Sequence, residues 1–163
     1  MIDNVIKLNK RDTLKLDIQT EDGKDTGEYL EFDLTNIELP LIYQELIEKD
    51  RKNKEYLKNS LMIIDRREDV KGKKLLSKNE EDKLRAIRSF FNKEIEIYNM
   101  FLGERGVQKL LNGRPLTWYT LDELDKIIEE QIVPHLDLKM ENIQNKIKEK
   151  YQQALDKSKE VLK

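Results

Sequence analysis

From Leu84 to Leu102 the chain carries two adjacent apolar rows at helical spacing. Leu84, Ile87, Phe91, Ile95, Tyr98 and Leu102 fall three and four residues apart, and Phe90, Ile97 and Phe101 form a second row beside them. Such a face is wider than the seam of a two-stranded coiled coil. It predicts a helix covered on several sides, at the centre of a bundle. Ser77 is placed to cap it, with Glu80 and Glu81 in the first turn, where negative charge suits the helix dipole. Gly103, directly after Leu102, reads as the left-handed residue that ends it.

The stretch that follows is the densest in punctuation. Tyr98–Tyr119 contains Gly103, Gly106 and Gly113, together with Pro115 and the only tryptophan, Trp118. Helix termination accounts for the glycines, leaving a short apolar turn, Val107–Leu111, between them. Arg114-Pro115 blocks direct continuation. Thr117 or Thr120 restarts a helix, and Thr120 with Glu123 has the spacing of a capping box. Leu121, Leu124, Ile127, Ile128 and Ile132 continue the core stripe until Pro134, which is expected to kink or divide the helix. Met140, Ile143, Ile147, Tyr151, Ala154 and Leu155 then form a narrower stripe in a lysine-rich tail.

The N-terminal third has a different period. Leu14, Leu16 and Ile18 alternate with Lys15, Asp17 and Gln19, and Leu30, Phe32 and Leu34 alternate with Glu31 and Asp33. Between them TEDGKDTG is a turn signal, so residues 2–34 predict an antiparallel hairpin, with Ile6 and Leu8 supplying a third strand or a loose arm. A lone hairpin is marginal in water, and its apolar face needs a cover. Thr35 with Glu38 predicts a capping box opening the next helix, whose stripe runs through Leu39, Ile42, Tyr43, Leu46 and Ile47. The polar run KDRKNKE interrupts it before Leu57, Leu61 and Ile64, which fits one long helix to about Arg67 whose middle touches little, or two helices. Residues 68–78 read as a connection. The expected fold is α+β and mainly α: a hairpin segment (1–34), a helical core of three to four helices (35–138) and a helical tail (139–163), forming one domain.

Composition narrows function mostly by exclusion. Charged residues make up 39% against 37% apolar, which suits helices with wet outer faces. Net charge is -2, so no global field draws nucleic acid or an anionic membrane. Cysteine is absent, which removes disulfides and thiolate chemistry. No apolar run approaches the ~20 residues of a membrane span, and the N-terminus lacks a signal-peptide core, so a soluble cytosolic protein is expected. His135 is the single histidine and has no metal-ligand spacing around it. The carboxylates Glu80-Glu81-Asp82, Glu94/Glu96 and Glu129-Glu130 read as solvated helix faces rather than acid/base pairs. The glycines match no phosphate-loop spacing. No catalytic residue, cofactor or metal is expected. Trp118 and Tyr119 read first as core, with an interface anchor as the alternative. The candidate partner-binding residues are Phe90, Ile97, Phe101, Trp118, Tyr119, Ile143, Ile147 and Tyr151.

One resemblance adds a function. The phrase FDLTNIELPL opening a helix resembles the tail assembly chaperones of long-tailed bacteriophages and prophages of Gram-positive bacteria. So does a helix ending in Phe101-Leu102-Gly103 followed by Leu111, Gly113, Arg114 and Pro115, and so does the helix bearing IIEEQIVPHLD. The likeness spans about residues 28–140, and the polar run at 49–56 and the lysine-rich tail depart from it. It implies a non-enzymatic protein of the host-cell cytoplasm that holds the tape measure protein while the tail tube protein assembles around it, and that self-associates. In that family a longer, frameshifted form sometimes accompanies the short one. Other readings of the residues are a structural phage or bacterial adaptor and, further off, a nucleic-acid-binding regulator.

Overall fold

The computed structural model describes residues 5, 6, 8 and 12–161. The chain is mainly helical, with an N-terminal two-stranded sheet packed on the helices, as its periodicities require. Strands β1 (Thr13–Gln19) and β2 (Asp25–Asp33) pair antiparallel. Leu14 lies opposite Phe32, and Leu16 opposite Leu30, so one face of the ribbon is apolar. A bulge between Asp17 and Gln19 bends the ribbon near its turn. That turn is shorter than the sequence predicts. It closes at Thr20–Lys24, because Asp25 already pairs with Gln19. Ile6 and Leu8 belong to no strand and are exposed. Residues 1–4, 7 and 9–11 of the same segment lie outside the described set.

Helix α1 (Glu38–Asp65) is a single helix through the polar run, so the two-helix alternative falls away. The predicted Thr35–Glu38 box does not form. Asp33 Oδ1 accepts from Thr35 N–H, Asn36 Oδ1 accepts from Glu38 N–H, and two successive Asx-type turns lead the chain into the helix. Helix α2 (Lys78–Leu102) begins at the expected cap, Ser77, which in fact forms a full capping box: Ser77 Oγ accepts from Glu80 N–H, and the Glu80 carboxylate accepts from Ser77 N–H. Asn79, in the first turn, donates from Nδ2 to Ile64 O and Arg67 O. One side chain of α2 thus satisfies two carbonyls at the end of α1.

Gly103 ends α2 at φ 97°, a conformation closed to other residues. Gly106 has another role. It opens α3 (Gly106–Leu111) with its backbone so close to α2 that a Cβ there would lie 2.5 Å from Leu102 Cβ. The left-handed turns on either side are made by Arg105 and Asn112. Thr117 caps α4 (Trp118–Ile127), sharing reciprocal hydrogen bonds with Thr120, so the cap is Thr117 rather than Thr120.

Pro134 neither ends nor divides the helix. After α4 one wide π turn (Ile128–Ile132) carries the chain into α5 (Val133–Val161), and Val133 N–H reaches back to Ile128 O. A proline ring in a regular helix collides with the carbonyl four residues earlier. The widened turn relieves that collision and the ladder resumes beyond it.

The core joins both periodicities. Ile18, Leu30, Phe32 and Leu34 from the ribbon meet Leu39, Leu46 and Leu57 of α1, the wide face of α2, Val107 and Leu111 of α3, and the row Leu121, Leu124, Ile128, Ile132 and Leu136. Phe101 is its aromatic centre, 5.5 Å from Phe32 and 5.4 Å from Tyr43 between ring centroids. Arg114 fastens the corner. Its guanidinium pairs with Glu21 in the hairpin turn at 2.9 Å and with Glu123 of α4 at 3.5 Å.

Candidate functional site

Three features stand out: a buried polar cluster, a groove between α1 and α2, and the outer half of α5.

The cluster sits where α1, α2 and α4 meet. Glu94 belongs to α2 and is fully buried, 0% exposed. Asn53 of α1 donates from Nδ2 to Glu94 Oε1 at 2.8 Å and to the Phe90 carbonyl at 3.2 Å. Glu94 Oε2 and Asp50 Oδ1 are both buried without a partner of their own. Burial first, and then a hydrogen bond with Asp50, push the Glu94 carboxyl up to about 8. The neutral acid therefore prevails below that pH, and its proton supplies the one hydrogen bond that both oxygens need. The other oxygen of Asp50 pairs with Lys54 at 2.9 Å. One turn further along α2, the Tyr98 hydroxyl donates to Asp125 of α4. Burial raises both Tyr98 and Asp125, and the hydrogen bond raises the former while holding the latter down.

This corrects two expectations. Glu94 does not lie on a solvated face, although Glu96 does. The middle of α1 does not touch little: Asp50 and Asn53 are its contacts with α2. The signal was present in the spacing. Leu46, Asp50, Asn53 and Leu57 follow one another at four, three and four residues, and Phe90, Glu94, Ile97 and Phe101 do the same. A polar residue at a core position of both stripes marks a buried polar contact, which a count of apolar residues passes over.

None of Asp50, Glu94, Tyr98 and Asp125 lines these surface hollows, whereas Asn53, which donates to Glu94, lines two hollows between α1 and α2. Among the described residues no group of three or more His, Cys, Asp or Glu is arranged to hold a metal ion. No helix among them is long and apolar enough to cross a membrane.

The predicted partner-binding residues separate into two groups. Phe90, Ile97 and Phe101 are buried in the core, and only Phe90 and Ile97 reach the bottom of the groove between α1 and α2. The face of α2 looked too wide for one helix pair. It is filled because α1, β2, α3 and α4 all lie against it. Trp118 is intermediate between the two readings given to it: 49% exposed, with its other side packed on Phe90 and Phe91 at 5.1 and 4.8 Å. Tyr119 is exposed beside it.

Ile143, Ile147 and Tyr151 lie on α5. Ile143 is half-buried over a hollow of about 480 Å³ that it lines with Leu34, Thr35, Ile37 and Lys139. Beyond it the helix leaves the body. Every residue from Gln144 to Val161 is exposed, including Ile147, Tyr151, Leu155 and Val161. At 1.5 Å per residue this arm is about 27 Å long. An isolated helix of that length is marginal in water, and an apolar row on it has nothing to pack against.

Comparison with protein-family models, with curated proteins and with solved structures finds no match for this chain.

Proposed function

We propose that the chain is a binding protein rather than an enzyme: a phage tail assembly chaperone that holds the tape measure protein until the tail tube protein assembles around it. One observation supports this reading above the rest. The C-terminal half of α5 carries Ile147, Tyr151 and Leu155 on an arm free of the body, flanked by lysines that keep it in solution. A holdase for amphipathic helical segments presents this kind of exchangeable apolar surface on a charge-rich scaffold. The resemblance carried by Phe101–Pro115 agrees with it, since that element folds as the corner joining the core helices. The interior placement of the acid cluster is what a structural role gives, and the same arm offers copies of the chain a means of self-association.

The test is co-expression with the tape measure protein encoded nearby. The expected result is co-purification and a gain in that protein's solubility, both lost when α5 is cut after Asn145. If the two proteins neither co-purify nor affect each other's solubility, the reading fails.

A further inference from the structure

A second surface lies in the groove between α1 and α2. Two hollows of about 420 and 490 Å³ share Asn53, Tyr56 and Lys93 and so form one trough. Its floor is apolar, with Leu57, Ala86 and Phe90 at one end and Ile97 and Met100 at the other. Along α1 it runs from Lys49 to Ser60, about 17 Å or three helical turns. Tyr56 stands on its edge 73% exposed, an aromatic ring with no ring partner, of the kind that anchors protein contacts.

Charge decides what fits there. Three lysines border the trough, Lys49, Lys52 and Lys93, against one carboxylate, Glu96. Glu48 is held at 2.8 Å by Arg51, which leaves Lys52 no closer than 3.7 Å to it. Lys93 meets only Glu96, at 3.3 Å along its own helix, and Lys49 meets Glu45 at 3.1 Å. Exposed pairs of this kind contribute little and exchange readily for a new partner. The α5 arm of a second copy is a poorer occupant, because Lys146, Lys148, Lys150, Lys157 and Lys159 outnumber its acids Glu141, Glu149, Asp156 and Glu160, so it brings no excess of carboxylates to these lysines.

We infer that the α1–α2 trough is a docking site for an amphipathic helix of another protein, with bulky aliphatic side chains on its inner face and carboxylates on its flanks. Three turns of such a helix place side chains at i, i+4 and i+7 on the apolar floor, while the flanking acids meet Lys49, Lys52 and Lys93. The site is separate from the α5 arm, and it stands whether or not the partner is a phage protein.

The experiment is an NMR titration of the isotope-labelled full chain at low salt with three peptides. One is a capped helix-forming peptide with leucine at every third and fourth position and glutamates on the flanks. The second has lysines in place of those glutamates, and the third is residues 140–161 of this chain. The glutamate peptide should shift the resonances of Tyr56, Ala86, Ser89 and Met100 and bind at least roughly tenfold more tightly than the lysine peptide. The double variant Lys52→Glu, Lys93→Glu should remove that preference, and it keeps the fold because both side chains are solvent-facing. Equal binding of both synthetic peptides, shifts confined to α5, indifference to the charge reversal, or occupation of the trough by the 140–161 peptide would each overturn the inference.

Discussion

At the scale of single residues, Glu94 is the side chain with the most to lose from a change of conditions. Its folded-state carboxyl holds a proton up to about pH 8, against an ordinary value of 4.5 in the unfolded chain. A raised carboxyl makes the folded state the better proton binder between those values. Stability is therefore greatest below about pH 4.5 as far as this group is concerned, and drains away as pH rises towards 8. Glu94→Gln keeps the shape and supplies a permanent donor towards Asp50. Thermal unfolding should show the variant level with the parent at pH 5 and more stable at pH 8, by about 1–3 kcal/mol. A variant that is less stable at both pH values would mean that the carboxylate is needed. Gly106 makes the opposite point, about space rather than charge. Gly106→Ala places a methyl 2.5 Å from Leu102 Cβ, where neither atom can move without its backbone. Urea unfolding should register a loss of about 1–3 kcal/mol, the usual cost of overpacking. From the sequence this glycine looked like its neighbours Gly103 and Gly113, because the letter alone does not distinguish a backbone that needs positive φ from one that needs room.

At the scale of elements, the strands and helices were legible wherever apolar side chains set the period. The alternation in Leu14–Ile18 and Leu30–Leu34 located the ribbon, and the double row from Leu84 to Leu102 located the central helix. What stayed hidden were contacts made by polar atoms. The α1–α2 connection read as featureless, yet Asn79 closes it by reaching back to Ile64 and Arg67, and Arg67 pairs with Asp82 at 2.8 Å. Asn79→Ala leaves two carbonyls without their donor. It should cost about 1–3 kcal/mol in denaturant unfolding, with amide exchange near Ile64–Arg67 speeding up before the rest of the core. Pro134 does not divide the helix, for a related reason. A proline blocks a regular helix, but a helix with one wider turn is still a helix, and nothing in the letters IEEQI announces that turn.

At the scale of the whole molecule, the body and the arm are separate problems of stability. The apolar core closes without anything beyond Ile143, so removing residues 146–163 should leave the melting temperature within about 2 °C of the parent. In the intact chain, hydrogen exchange beyond Ile147 should be fast and uniform when the protein is alone, and should slow when a partner covers Ile147, Tyr151 and Leu155. Protection of those amides in dilute isolated protein would show instead that copies of the chain already cover one another's arms. For the candidate surfaces, the sequence identified the arm as a narrower apolar stripe in a lysine-rich tail. It did not distinguish the core row of α2 from an interface, because Phe90, Ile97 and Phe101 differ from exposed side chains only in what other segments bring to them.

The π turn also settles a question of angle. Each step of four residues in a regular helix overshoots a full turn by about 40°, so a row built on fours winds steadily round the axis. Leu124, Ile128, Ile132, Leu136 and Met140 are such a row, and in an unbroken α-helix its last members would rotate away from the core that holds its first. A wider turn at Ile128–Ile132 rotates less per residue and winds the row back. Leu136 is therefore still buried, and the helix leaves the body with the apolar residues of its outer half, Ile147 and Tyr151, aimed in a fixed direction. The heading of the arm's sticky side is set some fifteen residues before that side begins, by the one turn of the helix that is out of step with the rest.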